Sequence, residues 1–146
     1  MTGTVSRVLL WLFVINLGIA LGAGLYEARI VVPEWIDASG AVPEWDPEVA
    51  RRHDTGRRFW AFVTTGPLTL LTLANLVAAW RTRGRARRWW LGAGVAALAD
   101  RVFTFVYFIP TMIALMGSPG TPEAAARAIQ WASLNHVRHL LVVVAL

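Results

Sequence analysis

The chain has 146 residues, 56% of them hydrophobic and 16% charged, and its mean hydropathy is positive. That composition fits one compact domain whose solvent is membrane rather than water. There is no cysteine, which excludes disulfides, iron–sulfur clusters and thiol catalysis. All 14 basic residues are arginine, and five crowd into the short loop from Arg81 to Arg88. Between apolar runs such a loop is a topology signal, not a nucleic-acid surface.

A first span is expected from about Val8 to Tyr26, with Asn16 as its one strongly polar residue. A cleaved signal peptide is the alternative; the run to Tyr26 and its packing motif favour an uncleaved span. Gly18 and Gly22 are four apart and predict a face for close helix contact. The segment 30–56 is the longest polar stretch and is expected to be an extracytoplasmic loop. In it Val32-Pro33-Glu34-Trp35 recurs as Val42-Pro43-Glu44-Trp45. Proline breaks helix, and tryptophan beside glutamate suits an interfacial anchor, so the repeat reads as a duplicated turn on the membrane surface. A lid over a pocket mouth is the functional alternative.

The second span is expected at 59–80. Thr65, Thr69 and Thr72 share one helical face, where each hydroxyl can return to the preceding turn. Pro67 predicts a kink. The third span, 89–116, is longer than a bilayer needs and must tilt, kink or protrude. Its only charges are Asp100 and Arg101, and Pro110 marks its kink. Thr121 is the expected N-cap of the last span, 123–146, with Pro122 at its first position. That span is the least apolar; Trp131, Asn135 and Arg138 form a stripe that should face the interior. The expected architecture is an all-α bundle of four membrane spans with a polar-lined interior. The arginine loop places both termini in the cytoplasm.

Depth shows which polar groups can meet. At 1.5 Å per residue Arg101 lies roughly 18 Å in from Trp89, and Asn135 reaches similar depth from the other side. A column from Glu27 through Tyr107 and Arg101 to Asn135 and Arg138 follows. Asp100 and Arg101 are adjacent and point about 100° apart, so each is expected to pair elsewhere. Arg138 suits Asp100; Asn135, Thr65 or a ligand anion suits Arg101. Ionisable groups at this depth mark either a functional site or a buried pair that sets helix register. His136 and His139 are three apart; snorkelling to the cytoplasmic surface fits them best, a general base next, and least a metal site, which would need a third ligand such as Glu27 or Asp100. No phosphate loop, dinucleotide fingerprint or Ser–His–Asp signature is present.

The residues also resemble a known family. They are Leu25-Tyr26-Glu27, Pro33 and Trp35, Arg58-Phe59-Trp60 with Thr65 and Pro67, Trp89-Trp90-Leu91, Arg101-Val102-Phe103-Thr104, Tyr107-Phe108-Ile109-Pro110-Thr111, and Trp131 with Leu134-Asn135-His136-Val137-Arg138. Together, over nearly the whole chain, they are similar to the anthrone-oxygenase-like membrane proteins. The resemblance implies a four-helix domain in a bacterial plasma membrane and cofactor-free oxidation of anthrones to anthraquinones. Such chemistry needs a base, a donor for the phenolate and a flat apolar slot. The candidate bases are His136, His139, Glu27 and Asp100, and the candidate oxyanion donors are Arg101, Arg138 and Tyr107. Trp60, Phe105, Phe108 and Trp131 are candidate slot walls, and Thr65 and Asn135 further substrate contacts. No metal or cofactor is implied. The expected partners are the lipid bilayer, a hydrophobic aromatic small molecule and a second copy of the chain. The alternative is a non-catalytic protein that holds a quinone, a lipid or a partner helix.

Overall fold

The computed structural model describes residues 3–146, which are almost wholly helical. Helix α1 (Gly3–Tyr26) continues through a π-helical turn (Glu27–Val31) and a 3₁₀ turn (Val32–Glu34). Strands β1 (Ile36–Asp37) and β2 (Glu44–Trp45) form a minimal antiparallel ladder, and helix α2 (Pro47–His53) follows. A π-helical stretch (Gly56–Thr65) leads into α3 (Gly66–Arg81). Helix α4 (Ala86–Phe103), a π-helical turn (Thr104–Phe108) and α5 (Ile109–Met116) make one continuous rod. Helix α6 (Pro122–Ala145) closes the chain. Three of these helices, Gly3–Glu34, Gly56–Arg81 and Ala86–Met116, are long and apolar enough to cross a membrane. Each begins about three residues earlier than expected or, for the first, runs on to Glu34.

All three π-helical segments have one cause. In each, the residue just before a proline donates its N–H five residues back: Val32 to Glu27, Gly66 to Ala61 and Ile109 to Thr104. In an α-helix the rings of Pro33, Pro67 and Pro110 would collide with the carbonyl four residues earlier. A wide turn moves that carbonyl aside, so a π-helical widening stands at each proline, Pro67 and Pro110 included. The carbonyl that the missing Pro67 N–H would have served belongs to Val63. It accepts instead from Asn16 Nδ2 at 3.0 Å, which explains the single polar residue of the first span.

Neighbouring long helices run antiparallel. Asn75 Nδ2 reaches Leu9 O while Asn16 reaches Val63 O, so residue numbers in α1 rise as those in α3 fall. Helix α3 packs on α4, α4 on α6, and α6 on α1. Asn75 is fully buried and also accepts from Trp90 Nε1 at 3.1 Å, pinning three helices together. The threonine stripe does what its spacing permits: Thr69 and Thr72 donate to the carbonyls of Thr65 and Leu68. The glycine expectation is overturned. Gly18 and Gly22 face outward with nothing against them, and the close approach falls at Gly24, under the His139 ring. Trp11, Phe62, Trp80, Trp89, Val106 and Val144 are all more than half exposed on the outer surface, as side chains meeting lipid would be.

The segment 30–56 is a folded cap rather than a surface loop. Trp35 and Trp45, one from each copy of the repeat, are 3% and 4% exposed, so neither is an interfacial anchor. The second copy pairs with the residues just after the first, Ile36 opposite Trp45 and Asp37 opposite Glu44. Buried indoles need partners: Trp35 Nε1 donates to His53 Nδ1 at 2.7 Å and Trp45 Nε1 to Leu115 O at 3.2 Å. Asp46 caps α2 by accepting from the Glu48 and Val49 amides. The cap forms one apolar core with Phe108, Leu115, Ala125, Ala128 and Trp131. A second core of Phe13, Leu17, Leu68, Ala97 and Val142 lies toward the other end. Between the two cores lies a polar layer.

Candidate functional site

The polar layer is built on Asp100, which is 1% exposed. Its Oδ2 accepts both Nε and Nη2 of Arg101, and its Oδ1 accepts Arg138 Nε at 3.2 Å. The pairing with Arg138 is the expected one. The pairing with Arg101 is not: the guanidinium curls back on its neighbour, because a long flexible side chain can span the angle that the backbone sets. Asn135 does not meet Arg101; its Oδ1 accepts Arg138 Nη1 at 3.1 Å while its Nδ2 donates to Trp131 O. Two guanidinium groups thus share one carboxylate. Arg101 Nη1 is buried without a partner among the described residues, a costly state for a charged donor.

Beside this cluster lies a cavity of about 690 Å³, within the usual range for small-molecule sites. Its lining combines Glu27, Trp60, Thr65, Thr104, Phe108, Met112, Met116, Trp131 and Arg138, with Arg51, Asp54, Thr55, Gly56 and Arg57 toward the cap. Each π-helical segment supplies part of the wall: Glu27 from the first, Trp60 and Thr65 from the second, Thr104 and Phe108 from the third.

Glu27 and Arg138 both face this cavity. The Glu27 carboxyl accepts the Thr55 hydroxyl, with the Trp60 indole and the Arg138 charge close by. The two form no ion pair: Arg138 commits Nε to Asp100 and Nη1 to Asn135. Among the described residues its Nη2 has no hydrogen-bond partner. The guanidinium also lies over the Phe108 ring, 4.7 Å from the centroid, and Phe108 meets Trp131 edge-on. Trp131 Nε1 donates to Phe108 O at 3.2 Å, fixing that wall.

The other expected residues stand apart from this cavity. Asp100 and Arg101 lie behind it. Tyr107 stacks on Phe103 and belongs to the cap core. Phe105 is about half exposed on the outer face. His139 packs on Gly24, and among the described residues its buried Nδ1 has no partner. His136 is exposed and, with Asn135, lines a separate groove of about 460 Å³ beside Asp37 and Ser39. There the Ser39 hydroxyl and amide hold the Asp37 carboxyl below the usual carboxylate range. Among the described residues no three His, Asp or Glu side chains gather as a metal site. Sequence reasoning missed Arg51, Asp54, Thr55, Met112 and Met116, because nothing in the chain shows that the cap folds down onto α5.

A model of the anthrone oxygenase family matches residues 57–146. The chain belongs to the anthrone oxygenase family. The match covers α3 to α6 with Trp60, Asp100, Arg101, Phe108, Trp131 and Arg138, and leaves out α1 and the cap. Glu27 and Thr55 therefore lie outside it. No curated protein and no solved structure matches the chain.

Proposed function

We propose that this anthrone oxygenase family member is an integral membrane oxygenase of anthrones or related polycyclic phenols. In this reading α6 is the fourth span of a four-helix bundle. Its 24 residues are long enough to cross, and Asn135 and Arg138 turn toward the other helices, while Arg127, Gln130 and His136 face outward. The charge distribution supports cytoplasmic termini. One end of the bundle carries Arg7, Arg81, Arg83, Arg85, Arg87 and Arg88 and no acidic residue, whereas eight of the nine acidic residues lie at or toward the cap.

The observation that carries the oxygenase reading is that Glu27, held by Thr55 and in no ion pair, lines one aromatic-walled cavity with Arg138. Glu27 removes a proton from the acidic methylene of the anthrone. The oxyanion that develops on the conjugated ring oxygen is met by Arg138. Charge balances throughout: a proton moves to Glu27, and the negative charge passes to the substrate beside a cation already held by Asp100 and Asn135. The carbanion then passes its electrons to molecular oxygen, forming a C–O bond and a peroxide that takes up a proton. Loss of the remaining C–H proton with cleavage of the O–O bond gives the quinone carbonyl and water. One oxygen atom enters the product and the other leaves as water. Trp60, Phe108 and Trp131 bound a slot for the flat ring system.

The alternative, a non-catalytic quinone or lipid binder, would use the same cavity without needing Glu27. Oxygen uptake with an anthrone, measured against protein-free micelles, separates the two. The expected result is turnover above the blank that falls by about 10²-fold or more in Glu27→Gln and persists in His136→Ala. Turnover unchanged in Glu27→Gln would remove the base from the mechanism.

A further inference from the structure

The cavity has two rims of different character. Toward the cap the rim is polar and braced. Arg57 pairs with Asp54, and Arg51 Nη1 donates to Met116 O at 2.6 Å, tying the cap to the end of α5. On the side, the rim is apolar and unbraced. There Ala61 and Thr65 of the second rod face Ile109 and Ile113 of the third. Ile109 is 36% and Ile113 62% exposed, so this wall of the cavity is also outer surface.

The two rods pack closely below this level, α3 against α4, but separate above it. The stretch Gly56–Thr65 packs on α1 and on its own continuation, and has no substantial packing on α5. Among the described residues no side-chain hydrogen bond or ion pair joins 56–65 to 109–116. The divergence starts where both rods widen into π-helix ahead of Pro67 and Pro110. Both rods belong to helices long and apolar enough to cross a membrane, and the slot between them opens on the same outer surface as Ile109 and Ile113.

We propose that the ligand enters this cavity sideways from within the bilayer, through the slot between residues 56–65 and 109–116. This rests on the membrane reading of the preceding section and deepens it by naming the substrate class: flat, apolar molecules that enter uncharged. A molecule ionised in water would pay heavily to cross the hydrocarbon rim. Ionisation therefore follows entry, when Glu27 and Arg138 are within reach. The braced polar rim serves water and protons rather than the ring system.

The absence of native cysteine allows a direct test. Thr65→Cys, or Ala61→Cys where that variant does not fold, is labelled with bimane in nanodiscs. Quenching by a nitroxide-labelled phospholipid is compared with quenching by aqueous iodide. Trp11→Cys calibrates the lipid face and Arg85→Cys the aqueous one. The expected result is a cavity label that follows the lipid calibration, with nitroxide quenching several-fold stronger than iodide quenching. A label quenched by iodide and spared by the nitroxide lipid overturns the side entrance. Neither reading depends on turnover. An inactive protein with lipid-side quenching keeps the slot and loses the oxygenase, and an active protein with iodide-side quenching does the reverse.

Discussion

Asp100→Asn is the sharpest test of the buried charge layer. The substitution keeps the volume and the acceptor oxygen but removes the negative charge. In its absence Arg101 and Arg138, 3% and 19% exposed, face each other with no counter-charge at hand. The Arg138 contact at 3.2 Å carries a gross attraction of about 5 kcal/mol at an effective dielectric of about 20. Desolvation offsets much of that in the intact pair, but not when one partner is lost, so the expected cost is about 3–5 kcal/mol. For a chain of this size that lowers the unfolding midpoint by about 10 °C. Arg138→Gln should cost less, about 1.5–3 kcal/mol, because it leaves Asp100 and Arg101 as a balanced pair. The assay is thermal unfolding in one detergent, followed by tryptophan fluorescence and size exclusion. An Asp100→Asn protein within about 1 kcal/mol of the parent, or one more stable than Arg138→Gln, would refute the reasoning.

Other outcomes follow from single contacts. Thr72→Val should change the unfolding midpoint little, since its hydroxyl only returns to Leu68 O within the same helix. Asn75→Leu should cost about 2–4 kcal/mol in the same unfolding assay, because it strands the Trp90 indole and unpins α1 from α3 and α4. Trp45→Phe should loosen the cap by about 1–3 kcal/mol through loss of the buried bond to Leu115 O, read as faster proteolysis between Ile36 and Arg57. Gly120→Ala should destabilise that same contact region. A Cβ there would lie 2.9 Å from the Trp45 carbonyl, and backbone cannot step aside cheaply.

Much of this was legible in the chain. Long apolar runs announce membrane-crossing helices, because an uncharged run near 20 residues has few other uses. The capping chemistry of Thr121 and Pro122 set the start of α6, where Thr121 Oγ1 accepts from the Ala124 amide. The pairing of Asp100 with Arg138 followed from depth alone, since rise per residue is a fixed quantity. Depth does not give rotation about each axis. Hence Tyr107 and Phe105, at suitable height, turned away from the cavity, and His136 turned out to the surface.

Sequence by itself determined the helices long and apolar enough to cross a membrane, the positions of three prolines and the charged residues within those apolar runs. Those are properties of local composition and of a fixed helical rise. Only the tertiary structure decided what the prolines do. Each opens a π-helical turn, and packing brings all three turns to one cavity that no single segment encodes. It also decided that both tryptophans of the repeated Val-Pro-Glu-Trp are buried in a folded cap, because an indole gains more from a packed core with a hydrogen-bond partner than from the interface. Glu27 and Arg138 lie 111 positions apart, and their meeting across an open space depends on long-range packing that no local pattern records.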